Sequence, residues 1–223
     1  MSAIHLVRHG QASFGSDDYD RLSERGYAQA AALGQSWEAS DFLPTYAVAG
    51  SMKRHAQTAI AALDAAGPSD GYDVDAGWDE FPHESVVEAY APGVVTEDPK
   101  EFQKIFVSAV SRWACGEHDD EYPEPYAHFT SRVLAAFDRL TGSLGRGESA
   151  VVFTSGGPLA VVAAHLLAGD APTWTPQAQA LWPRLNTVVI NAAVTTVVTG
   201  ASGRTLLSFN EHTHLPSDLV TYR

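Results

Sequence analysis

Residues 3–10 read Ala3-Ile4-His5-Leu6-Val7-Arg8-His9-Gly10. The apolar run Ala3–Val7 has the length and composition of a buried β-strand, and Arg8-His9-Gly10 breaks it with an arginine, a histidine and a glycine. A buried strand that opens onto polar groups at its carboxyl end is the unit from which α/β sites are built.

The same punctuation recurs twice. Thr45–Ala49 reads as a strand, Gly50-Ser51 as a turn, and residues 53–65 as a helix. Ser149–Thr154 is another apolar strand, followed by Ser155-Gly156-Gly157-Pro158 and a helix over Leu159–Leu167. Pro158 suits a first helical turn, where its missing N–H costs nothing. Between these units, Ser23 is a candidate N-cap for a helix rich in alanine, and Phe129, Val133, Ala136, Phe137 and Leu140 mark one face of a long helix over residues 126–144. Thr187–Thr199 and Thr205–Ser208 read as two late strands, with Trp174 and Trp182 as packing residues flanking a Pro-rich loop. The alternation predicts an α/β three-layer sandwich on a mostly parallel open sheet. We expect a single domain over residues 1–223. Residues 82–125 carry Phe102, Ile105, Phe106, Ala109 and Trp113 at helical spacing, and read as a helical insertion over the active-site edge.

Composition narrows the function classes. Hydrophobic residues make up 45% of the 223, enough for a core, and the formal net charge is −13. An acidic surface repels nucleic acid and anionic lipid. No run approaches the ~20 apolar residues of a membrane span, and the opening MSAIHLVRHG is not patterned as a secretory signal. Cys115 is the only cysteine, so an intrachain disulfide is impossible and a cytoplasmic setting is expected. No partner is expected beyond a small phosphate ester or another phosphorylated substrate. Oligomeric state is open.

The three strand-to-helix turns bring polar groups to one edge of a parallel sheet. The first offers Arg8, His9, Gln11 and Ser13, the second Ser51 and Arg54, and the third Ser155 with the backbone N–H groups of Gly156 and Gly157 at a helix start. Two arginines, a histidine and a helix N-terminus describe a phosphate pocket, because the planar guanidinium fork binds two phosphate oxygens at once.

Leu6-Val7-Arg8-His9-Gly10-Gln11-Ala12-Ser13, together with Leu22-Ser23, Gly26, Gln29-Ala30 and the block Ser51-Met52-Lys53-Arg54-His55-Ala56-Gln57-Thr58-Ala59, resembles the histidine phosphatase (phosphoglycerate mutase-like) superfamily. Trp78-Asp79-Glu80-Phe81, Asn186-Thr187 and His214-Leu215 also fall where related sequences carry similar residues. The resemblance implies a phosphoglycerate mutase-like fold and a metal-independent phosphoric monoester hydrolase with no cofactor. It implies His9 as the phosphoryl acceptor, Glu80 as proton donor, and Arg8, Arg54, Gln11, Ser13, Ser155 and Gly156 as substrate-binding residues. The family usually places a second histidine where this chain has Ser155, so a positive charge is missing there. His83, three residues after Glu80, is the expected compensating group. Ala12 and Gly15 also depart from the Thr and Asn common in the family, with Ser13 a possible substitute for the Thr.

Other readings remain open on the sequence. One is a phospho-ligand-binding protein that has lost turnover, and a second is a phosphoglycerate-type mutase. A third, a serine hydrolase on Ser155 with Asp170, His212 and Asp218 as partners, is disfavoured because Phe153 stands where a nucleophile elbow needs glycine. His212 and His214 lack the carboxylate and third ligand of a metal site, and His165 reads as a satisfied core histidine.

Overall fold

A computed structural model describes residues 1–13, 20–96 and 98–222. In chain order these form β1 (Ser2–Arg8), α1 (Glu24–Ala39), β2 (Tyr46–Ala49), α2 (Lys53–Ala66), β3 (Asp73–Val74), α3 (His83–Tyr90) and α4 (Pro99–Cys115). Then follow α5 (Tyr126–Ser143), β4 (Ser149–Thr154), α6 (Gly156–Leu167), α7 (Pro176–Val188), β5 (Val194–Gly200) and β6 (Gly203–Glu211). The six-stranded sheet has the order β3-β2-β4-β1-β5-β6. Pairing is parallel from β3 through β1 and antiparallel on both sides of β5. The ends of β2, β4 and β1 therefore lie side by side on one edge.

The period-2 rule for strands divides the core into two halves. Ile4, Leu6, Ala150 and Val152 face a cluster built with α5, α6 and α7, whereas Val7, Val151 and Phe153 face Leu33, Trp37, Ala59, Ala62 and Leu63 of α1 and α2. Helices thus cover both faces, and the sandwich has its three layers. α6 is apolar all round because it is enclosed on every side, with Gly156–His165 entirely buried. The Ser23 hydroxyl caps α1 by accepting from the Gly26 N–H at 3.1 Å. No helix among the described residues is long and apolar enough to cross a membrane.

Three expectations need correction. Residues 176–188 are helical, so the late strand begins at Val194 rather than Thr187. Prolines 172, 176 and 183 argue for a loop, but Pro176 sits in the first turn, where it is tolerated, and the Thr175 hydroxyl accepts from the Ala178 N–H at 3.2 Å. Burial of Trp182 against α6 outweighs the β-branched propensity of Thr187-Val188. Trp182 is accordingly a helix residue, fully buried, and not the flank of a loop. Finally, α6 starts at Gly156, a turn earlier than the sequence pattern suggests.

α3 and α4 occupy the segment read as a helical insertion. Their inner side joins an aromatic cluster in which the Phe81 and Trp113 rings stack at 4.7 Å and Trp182 meets both edge-on. Phe102, at the outer edge of this helical spacing, is 38% exposed. Trp113 is fully buried, and its indole N–H donates to the Glu124 carbonyl at 2.8 Å. Trp113→Ala is expected to lower the unfolding free energy by about 3–5 kcal/mol. A urea titration that moved by less than about 1 kcal/mol would show that this cluster does not anchor α4.

Candidate active site

β1 ends at Arg8, and the His9 backbone N–H continues the ladder by donating to the Thr154 carbonyl at 2.8 Å. The His9 side chain is 8% exposed. Its Nδ1 lies 2.7 Å from the Gly10 carbonyl oxygen. A carbonyl can only accept, so Nδ1 carries the proton and Nε2 holds a lone pair. Burial, reinforced by the charges of Arg54 and Arg8 and by His55, holds the His9 pKa well below its ordinary value, although the Gly10 hydrogen bond opposes this. His9 is a neutral, buried imidazole with a fixed tautomer.

Residues of the α2 block hold the turn in place. The Thr58 hydroxyl accepts from the Gly10 N–H at 3.1 Å and donates to the Arg54 carbonyl at 2.7 Å. The Gln57 side chain accepts from the Leu22 N–H at 2.8 Å. Gln11 faces α1: its N–H donates to Gln29 Oε1 at 2.7 Å and its side-chain oxygen accepts from the Ser23 hydroxyl at 3.1 Å. The Ser13 N–H donates to the Arg21 carbonyl at 2.7 Å. Gly15 lies outside the described residues.

The two arginines are held differently. Arg54 is 5% exposed; its Nη1 donates to Asp20 Oδ1 at 2.7 Å and its Nη2 lies 3.5 Å from Ser155 Oγ. Arg8 Nη1 donates to the carbonyls of Val189 and Tyr222, the latter at 3.1 Å, so the C-terminal segment braces this guanidinium. Asp20 and the Tyr222 carbonyl had no signature in the sequence, since each acts across a long chain separation.

Glu80 arrives from the short helical turn Ala76–Trp78. Arg132 grips that turn by donating to the carbonyls of Ala76, Gly77 and Asp79 at 3.0–3.1 Å, and is itself paired with Glu124. Glu80 Oε2 accepts from the Gly157 N–H and Oε1 from the Phe81 N–H, both at 3.1 Å. Desolvation raises the Glu80 pKa, against the pull of these two N–H groups and of Arg54 and Arg8. A Cβ at position 157 would stand 2.0 Å from Glu80 Oε1, so the close approach of carboxylate and helix start requires glycine there. The Gly157 N–H, read from the sequence as part of an anion site, is thus committed to Glu80.

Ser155 is fully buried at the N-cap position of α6, yet its hydroxyl caps nothing. Its Oγ lies 2.7 Å from Nε2 of His55, a buried residue that the sequence motif did not single out. The available signal was its place on the buried face of α2 with Arg54, Thr58 and Ala59. A Cβ at Gly156 would lie 2.8 Å from Asn186 Oδ1, which sets α7 against the same corner. His83 opens α3 with its ring 6.5 Å from that of Phe81, and desolvation and the charge of Arg54 lower its pKa.

The remaining candidates lie elsewhere. Asp170 pairs with Arg204 and, at 3.0 Å, with His165, which satisfies that core histidine. His212 Nδ1 faces the Asn210 carbonyl at 2.8 Å, and His214 Nε2 faces that of Ala192 at 3.1 Å. Ser155 therefore has His55, not His212, as its imidazole partner. Among the described residues no three His, Cys, Asp or Glu side chains are grouped as metal ligands.

A neutral histidine, two arginines and a protonatable carboxyl meet beside the ends of parallel strands in an α/β fold. The sequence matches the family model described as the histidine phosphatase superfamily (branch 1) over residues 4–212, and the chain belongs to that family. A phosphoric monoester hydrolase is consistent with this membership. No curated protein matches in sequence. Among solved structures, a phosphoserine phosphatase mutant from Entamoeba histolytica, in complex with phosphoserine, superposes with a TM-score of 0.65 at 16% identity, covering 97% of this chain and 100% of that one. A phosphoglycerate mutase from Bacillus anthracis gives 0.63 at 17%, covering 96% and 94%. A mycobacterial glucosyl-3-phosphoglycerate phosphatase gives 0.60 at 22%, covering 95% and 99%. These likenesses establish the shared fold.

The buried neutral histidines have a consequence for stability. Folded pKa values of His9 and His55 lie below 6.5, so beneath that pH the unfolded chain binds protons that the folded chain refuses. Their contribution is complete above the unfolded value and is lost as pH falls, by up to about 1.4 kcal/mol per pH unit for each. Urea unfolding followed between about pH 5 and pH 7 is expected to show a steeper pH slope in wild type than in His9→Gln, by roughly that amount. Equal slopes would mean that His9 is not held neutral.

Proposed function

We propose that the protein is a phosphatase that hydrolyses a phosphomonoester through a phosphohistidine on His9. The observation that carries this reading is the Nδ1–H of His9 on the Gly10 carbonyl, which leaves Nε2 free to attack. Nε2 bonds to phosphorus as the ester P–O bond breaks, and the Glu80 carboxyl passes its proton to the departing oxygen, releasing an alcohol. Water then attacks phosphorus, Glu80 takes up the proton, and the N–P bond breaks to give inorganic phosphate and free His9. Arg8 and Arg54 stabilise the charge on the transferring oxygens, so the chemistry calls for no metal. Gln11, Ser13, Ser155 and Gly156 line the phosphate end of the site.

The substrate fits the class of small soluble phosphate esters, the class to which phosphoserine and glucosyl-3-phosphoglycerate belong. The chain works as one catalytic domain in the cytoplasm, a setting that suits its exposed, unpaired Cys115. Residues 82–125 form the wall from which substrate preference arises. Ser155 stands in the place of a cationic side chain, which favours hydrolysis at a modest rate over a mutase cycle that must hold a phosphorylated intermediate.

Release of phosphate from p-nitrophenyl phosphate tests the reading. A bell-shaped profile is expected, with an acid limb from His9 below its ordinary 6.5 and an alkaline limb from Glu80 above its ordinary 4.5. His9→Ala is expected to abolish turnover. Wild-type protein that binds vanadate without releasing phosphate would instead establish a ligand-binding protein, and phosphoryl return to a phosphoglycerate acceptor would establish a mutase.

A further inference from the structure

The proposed reaction leaves one buried group without a task. His55 is fully buried, directly follows Arg54, and occupies a core position of α2 that an aliphatic side chain would fill more cheaply. The fold makes room for it. A Cβ at Gly50 would stand 2.3 Å from His55 Nδ1 and 2.7 Å from Asp79 Oδ1, so the β2–α2 turn omits a side chain there. The ring centroid is 5.9 Å from that of His9. Its one hydrogen-bonded nitrogen, Nε2, is spent on Ser155.

Ser155 is diverted in turn. At an N-cap a serine hydroxyl ordinarily accepts from a backbone N–H of the first turn. Here it makes no such bond and lies between His55 Nε2 and Arg54 Nη2. We propose that His55 is a positioning residue of the phosphoryl site, holding the Ser155 hydroxyl so that its proton points at an oxygen of the transferring phosphoryl group. This rests on the reading of His9 as phosphoryl acceptor.

Proton accounting supports the assignment. A neutral imidazole has one N–H and the hydroxyl has one O–H. With the ring proton on Nε2, His55 donates to Ser155 Oγ, Arg54 donates to the same oxygen, and the hydroxyl proton is left for the phosphoryl oxygen. The opposite arrangement would turn the lone pairs of Oγ toward an anion and sacrifice one hydrogen bond. Asp79 does not force that opposite arrangement. Its carboxylate accepts from the Ser51 N–H and hydroxyl at 2.6 and 2.5 Å, and Oδ1 stands 3.9 Å from His55 Nδ1, beyond hydrogen-bond reach. The pair His55–Ser155 thus delivers one preoriented donor beside Arg54, the side chain that bonds to the same hydroxyl.

A double-mutant cycle in kcat and in vanadate affinity tests this, with thermal melting to follow folding. Ser155→Ala and His55→Leu are each expected to lower kcat about 10²-fold in folded protein, the loss typical of one transition-state donor. His55→Gln, which keeps a neutral N–H near the position of Nε2, is expected to recover about tenfold over His55→Leu. In the Ser155→Ala background, His55→Leu is expected to cost less than about threefold more, because both act through one hydroxyl. Losses that multiply, a His55→Leu variant with normal kcat, or a fall in melting temperature without a fall in kcat would each overturn the proposal. If wild type releases no phosphate, or His9→Ala releases as much, it is the phosphatase reading that fails. The vanadate cycle then still reports whether His55 and Ser155 are coupled.

Discussion

The hydrogen bond from His9 Nδ1 to the carbonyl of Gly10 organises the site. It fixes the tautomer and directs the lone pair of Nε2 away from the backbone. It can do so only because the turn after β1 is rigid, and the rigidity comes from neighbours: Thr58 on the Gly10 N–H, Gln29 on the Gln11 N–H, and Thr154 on the His9 N–H. The sheet order supplies the last of these, since β4 lies beside β1 in parallel. An imidazole on a free loop would lose orientation with each fluctuation. Here the strand pairing and Thr58 of α2 hold it.

Charge is the second constraint. A chain of net charge −13 must offer an anion a local reversal of its field. Arg54 and Arg8 provide it, and burial together with these cations keeps His9 unprotonated. Asp20 on Arg54 and the Val189 and Tyr222 carbonyls on Arg8 hold the guanidinium groups in place without neutralising both of them. Glu80 illustrates the balance. Burial pushes its pKa up, and two N–H groups and two arginines pull it back.

The parts of this arrangement that were legible in the sequence are those set by local pattern. Ala3–Val7 and Ser149–Thr154 are strands because short apolar runs end at turn residues, and Arg8, His9, Arg54 and Ser155 lie at strand-to-helix turns, whereas Glu80 was legible only through the family resemblance. Residues 176–188 were illegible because two prolines and a β-branched end outweighed, in local propensity, the burial of Trp182 that decides their conformation. Asp20 belongs to no motif in the sequence, and its 2.7 Å contact with Arg54 and its bond from the Lys53 N–H at 2.9 Å are what distinguish it. His55 was hidden in plain view. As a letter in a motif it reads as spacing, and its significance lies in facing Ser155 from a residue one hundred positions away.

The start of α6 shows how such tertiary choices accumulate. A helix N-terminus offers unpaired N–H groups and a favourable dipole, and the simplest expectation gives them all to the phosphate. Instead the Gly157 N–H binds Glu80, the Ser155 hydroxyl goes to His55, and the Trp182 indole holds the Gly157 carbonyl at 3.0 Å. The helix start serves as a junction where the acid, the paired imidazole and the aromatic core under α4 meet. Gly157 is required by the closeness of Glu80, and Gly50 by the bulk of His55. The two glycines therefore record, as missing Cβ atoms, the space that each polar side chain needed.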